Sequence, residues 1–131
     1  IMKKNISEDI KLMRKLSNFR IQEIKSILNS IDNDEDLDDI KIDYYNIKLS
    51  RELNKVDDLI EKISKFKSKL REARMKYKIN DNNANIITKL IMRMQCSSIN
   101  SYDKTIKDCD NIITDLKAEQ QYAYNKTSVI L

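Results

Sequence analysis

The chain has 131 residues, with 25 Lys and Arg against 21 Asp and Glu for a net charge of +4, and no Gly, Pro, His or Trp. Without His there is neither a His-based catalytic triad nor a His metal ligand, and without Gly no phosphate-cradling loop, so the expectation is a non-enzyme that holds no cofactor and no metal. Missing Gly also removes the usual residue of primed hairpin turns, which disfavours sandwiches and barrels, while missing Pro leaves long helices unbroken.

Only four Ala stand beside abundant Ile, Asn and Lys. AT-rich coding sequence gives such a composition, so part of the basicity can be mutational drift. No run approaches the ~20 apolar residues of a membrane-spanning helix, and no transmembrane span is expected. The opening Ile1-Met2-Lys3-Lys4 is followed by too polar a stretch for a signal peptide. The compartment stays open, with an intracellular setting favoured, since a mature secreted chain would show no leader either.

The first expected helix covers about 7–31. Ile6, Ile10, Met13, Leu16, Phe19, Ile24, Ile27, Leu28 and Ile31 recur at helical spacing, with Asn5 and Glu8 as its N-terminal cap pair. An acidic linker follows over 32–39. From Asp32 to Asp43 seven acids and one Lys give a net charge of −6. Asp32, Asp34 and Asp36 are spaced as in a calcium-binding loop, but Leu37 stands where that loop needs Gly and Asp43 where it needs Glu. A solvated linker that sets acids at the start of the next helix is the expectation.

The second expected helix, about 40–79, carries the strongest pattern in the chain. Counted in sevens, the a positions are Ile42, Leu49, Val56, Ile63, Leu70 and Tyr77, and the d positions Tyr45, Glu52, Leu59, Phe66 and Ala73. Ten of these eleven are apolar and only Glu52 interrupts the seam. A 3.5-residue repeat of this length predicts coiled-coil packing. The g row is all lysine: Lys41, Lys48, Lys55, Lys62, Lys69 and Lys76. Such a row either selects a partner by charge or covers the edge of the seam with its aliphatic stems. The e row reads Asn46, Leu53, Ile60, Lys67, Arg74, and its apolar members widen the face toward a second neighbour.

Positive charge gathers toward the end of this helix. Lys62, Lys65, Lys67, Lys69, Arg71, Arg74, Lys76, Lys78, Lys89 and Arg93 stand against Glu72 and Asp81, so 62–93 carries +8. After the break Asn80-Asp81-Asn82-Asn83 a third helix is expected over 83–124. Its apolar positions include Ile87, Ile91 and Met94, slip near Ser97-Ser98, and resume as Ile99, Tyr102, Ile106, Cys109, Ile113, Leu116 and Ala123. The slip is a stutter in one helix or a break near 96–101. Cys96 and Cys109 lie too far apart along one helix to bond to each other, which leaves two buried thiols as the default.

The architecture expected is all-α: an antiparallel coiled-coil hairpin of two long helices with a shorter N-terminal helix, in a three-helix bundle, or a four-helix one if the chain self-associates. The expected role is a non-enzymatic interaction or scaffold module. Its partner is another protein, met as an acidic surface or helix along the lysine row and basic tip, with a homo-oligomer as a further possibility. The alternatives are sequence-nonspecific binding of a nucleic-acid backbone by the tip, and peripheral contact with an anionic membrane. Phe66 and Tyr77, the aromatics among the tip's basic residues, fall on seam positions, so base stacking is not expected. No residue motif ties the chain to a known family, and architecture alone does not fix function.

Overall fold

The computed structural model describes residues 2–82 and 96–130, and side chains for 8–76 and 100–127. The described elements are three α-helices, α1 (Met2–Asp32), α2 (Asp39–Asn82) and α3 (Cys96–Ile130), each in contact with the other two. The described residues form an all-α three-helix bundle. Helix α1 begins ahead of Asn5, so the expected cap pair lies inside it. Residues 96–101 are helical, and α3 continues past Tyr124 to Ile130. The expected start of the third helix, at 83, lies outside the described residues.

The α1–α2 connection is built by aspartates. At the end of α1 the Asn33 amide donates to the Asn29 carbonyl and the Asp34 amide to that of Ile31. Asp38 then caps α2: its side chain accepts the Lys41 amide at 2.8 Å and its carbonyl accepts the first helical bond, from Ile42. Between these, Asp34 accepts from the Asp36 amide, the Lys41 ammonium and the Tyr45 hydroxyl. Desolvation raises its pKa, but the three hydrogen bonds together hold it below the ordinary 3.8. Asn and Asp thus do the turning, and no residue with positive φ occurs among those described.

All three helices follow sevens. On α1 the innermost line is Ile10, Ser17, Ile24 and Ile31; on α2 it is Leu49, Val56, Ile63 and Leu70; on α3 Cys109, Leu116 and Ala123 continue the line of the partly buried Tyr102. Ile24, Val56, Ile63, Cys109, Leu116 and Ala123 are fully shielded from water. Leu53 is buried and Ile60 half-buried, so α2 does use the wide face that two neighbours require.

Cross-helix bonds give the directions. On α2 and α3, Arg74 pairs with Asp103, Lys67 with Asp110, and Asp57 accepts from Gln120 at 2.6 Å. The α2 positions fall as the α3 positions rise by nearly the same steps, which is antiparallel running in constant register. Between α1 and α3, Arg14 pairs with Asp108 and Asp32 with Lys126, so these two run parallel. Helix α2 has 44 residues against 31 in α1, so about 20 Å of α2 extends beyond α1 at ~1.5 Å per residue.

Candidate interaction surface

The heptad lettering and the ion pairs together decide which flank of each helix meets which neighbour. Lys67 and Arg74, at e on α2, reach Asp110 and Asp103 on α3. Arg14, the corresponding e position on α1, reaches Asp108 on α3 at 2.9 Å. The e flanks of α1 and α2 therefore both face α3, and their g flanks border the groove that α1 and α2 form between them. This is the pairing that antiparallel and parallel neighbours impose.

Glu52, the single polar seam position of α2, finds its reason here. Its carboxylate accepts from Arg20 of α1 at 3.4 Å and from Lys55 at 3.2 Å, with side chains 11%, 24% and 52% exposed for Glu52, Arg20 and Lys55. Buried Ser17 lies one turn before Arg20 on the same α1 face. A polar layer thus crosses the α1–α2 interface at one level, and a shift by one turn would leave charges facing apolar side chains.

The sequence-predicted site residues separate into two groups. Lys67 and Arg74 are drawn into ion pairs with α3, and the Arg74 guanidinium makes a second contact with Asp103 at 3.3 Å. Lys62, Lys65, Lys69, Arg71 and Lys76 are exposed. Among the described residues, Lys65 and Lys76 pair with Glu61 and Glu72 of their own helix. In the g row, Lys41 pairs with Asp34 of the linker, which raises the lysine pKa chiefly through that hydrogen bond, and Lys55 with Glu52 of its own helix. Lys48 lies 5.9 Å from the Tyr44 ring centre. Lys62 and Lys69 have no ion-pair partner among the described residues. Among the described side chains, no lysine of the g row pairs with a residue of α1 or α3. Lys78, Lys89 and Arg93 lie outside the residues whose side chains are described, as do Tyr77 and Cys96. Phe66 is half-buried against the core.

The opposite bank of the groove corrects one expectation. Leu16 and Phe19, counted with the apolar face of α1, are 38% and 52% exposed, and Leu12 is 56% exposed. Ser17 takes the core position instead, because Ile10, Ile24 and Ile31 fix the heptad line and Ser17 lies on it. Leu12, Leu16 and Phe19 then form a separate stripe at i, i+4 and i+7. In heptad terms they are c, g and c, the outer edge of the flank that meets α2. The Arg20 guanidinium lies 5.1 Å from the Phe19 ring centre, which holds the ring on this bank.

Away from the groove, a cleft of about 450 Å3 opens between α1 and α3, walled by Lys25, Asn29, Glu119 and Tyr122 with the Asp32–Lys126 pair beside them, so its charges balance. Cys109 is wholly buried, and burial, with Asp110 and Asp108 nearby, pushes its thiol up to about 11, the opposite of an activated nucleophile. Among the described residues no group of three or more Cys, Asp or Glu is arranged to hold a metal ion, and no helix is long and apolar enough to cross a membrane. No family model matches the chain, and no curated protein or solved structure does either.

Proposed function

We propose that the chain is a protein-interaction module that receives an acidic partner along the lysine row of α2 and the basic end of the hairpin. The observation that supports this reading is a contrast between two flanks of one helix. The basic residues at e are spent inside the fold, on Asp103 and Asp110, whereas among the described residues Lys55 and Lys76 pair within α2, Lys48 lies by Tyr44 of α2, and Lys62 and Lys69 have no ion-pair partner. Stems covering the seam do not require every member of the row to be cationic. A rank of like charge repels itself, and an acidic surface laid against it relieves that cost. Nucleic-acid backbone is the second reading; it draws on the same charge but would gain nothing from Phe66, which is turned into the core.

The test replaces Lys48, Lys55, Lys62 and Lys69 by Glu and follows binding of a Glu-rich helical peptide, a single-stranded RNA and anionic vesicles by fluorescence anisotropy and co-sedimentation. Helicity should survive, because none of the four pairs with another helix. The acidic peptide should bind the native protein and not the variant. RNA binding that exceeds peptide binding, with a steep loss in salt, would replace this reading by the nucleic-acid one.

A further inference from the structure

From the two banks of the α1–α2 groove we infer that the partner is an amphipathic acidic helix lying lengthwise in that groove, its apolar face on Leu12, Leu16 and Phe19 and its carboxylates on Lys55 and Lys62. This rests on the reading above and adds the partner's secondary structure, its position and its apolar anchor.

The geometry follows from the polar layer. Arg20 and Glu52 lie opposite one another, so Phe19, beside Arg20, and Lys55, one turn along from Glu52, stand at about the same level. Antiparallel running then brings Leu12 to about the level of Lys62. An apolar bank two turns long therefore faces Lys55 and Lys62, with exposed Asp58 between them on the same flank, while Asp9 and Glu23 stand at the g positions before and after Leu16 on α1. Exposed apolar residues at i, i+4 and i+7 are the footprint that a docked helix covers, and a flanking charge row sets which helix is accepted.

Charge selects among the occupants. A second copy meeting its mate about a two-fold axis across the helices would set lysines against lysines, and about an axis along the groove would lay each lysine bank on the mate's apolar stripe, with no row of acids to receive it. The chain's own stretch 83–95 has apolar residues to offer, but it carries Lys89 and Arg93 and no acid. A membrane surface is planar and would meet the lysines without entering the groove between two helices. A separate helix with acids beside its apolar stripe fits both banks.

The probe is a synthetic helix with Leu at its a and d positions and Glu at e and g, labelled for anisotropy, beside a control in which Ser replaces Leu. Leu12→Ser, Leu16→Ser and Phe19→Ser are combined in one variant. All three side chains are exposed, so the thermal midpoint should hold, and this is checked by circular dichroism. Affinity for the Leu/Glu helix should fall by about tenfold or more in that variant, and the Ser control should bind the native protein as weakly as the Leu/Glu helix binds the variant. If the triple-Ser variant binds as well as the native chain while the four-Glu variant does not, the groove assignment falls and the charge reading stands. If neither variant changes binding, both fall. A dimer of the native protein in light scattering that becomes a monomer in the triple-Ser variant would give the groove to a second copy and overturn the inference.

Discussion

The polar layer makes a prediction that separates stability from specificity. Glu52→Ala removes the acceptor that holds Arg20 at 3.4 Å and Lys55 at 3.2 Å. Lys55 is half-exposed and returns to water at little cost. The Arg20 side chain is only 24% exposed, so its guanidinium loses a partner where water reaches it incompletely. Breaking a fully buried pair costs about 3–5 kcal/mol and an exposed pair about 0–1. Arg20 lies between, and the expected loss is about 1.5–2.5 kcal/mol. The double substitution Arg20→Met with Glu52→Leu removes both charges and makes the α2 seam apolar, leaving Ser17 as the neutral polar residue of that layer. It should be as stable as the native chain or more stable, by up to about 2 kcal/mol. Urea unfolding followed by circular dichroism gives both numbers, with unchanged m-values confirming that the same surface is exposed. Analytical ultracentrifugation should then find the double variant in more than one association state, because the layer that rejects a one-turn slip is gone. A double variant that loses as much as the single one, or a single loss under about 0.5 kcal/mol, would refute the assignment of Glu52 as a specificity device.

Three further outcomes are expected. Lys67→Glu should destabilise by about 1–2 kcal/mol and Asp110→Lys in the same chain should restore most of it, measured by urea unfolding, whereas Lys69→Glu should change stability by less than about 0.5 kcal/mol. Leu116→Ala, at a wholly buried position, should cost about 2–5 kcal/mol in the same assay. Cys109 should resist a thiol-specific reagent until the chain unfolds. Its folded pKa, about 11, lies above the ordinary 9.0, so the native state keeps a proton that the unfolded chain has released. Its contribution to stability is complete below pH 9 and declines as pH rises from 9 toward 11, and Cys109→Ala should flatten that part of a stability-against-pH curve.

How much of this was legible in the sequence differs by helix. The α2 seam could be read because a 3.5-residue repeat sustained from Ile42 onward seldom arises without a neighbouring helix to pack against, and its widening at Leu53 and Ile60 already implied two neighbours. On α1 the apolar residues outnumber one face. Counting them by spacing alone favours Leu16 and Phe19 and passes over Ser17, because a polar core residue makes sense only once Glu52 on another helix is known to lie near it. The fate of the basic tip was hidden for a similar reason. Lys67 and Lys69 look alike in a charge count, and what separates them is their angle about the helix and the presence of Asp110 on α3, which is distant in sequence. Local pattern fixes the face of a helix, and only assembly decides which charges on it remain free.

Parallel running of α1 and α3 has a mechanical consequence. The beginning of α1 and the end of α3 stand at opposite ends of the bundle, so tension applied between them travels along the long axis. Such a load slides helices past one another and must rupture several interlocked layers together, rather than peeling contacts away in turn. The Arg14–Asp108 pair part-way along α1 and the Asp32–Lys126 pair at its end tie α1 to α3 in that register. Along its long axis the bundle of described helices is therefore loaded in shear, while the α1–α2 groove on its side lies out of the line of that load.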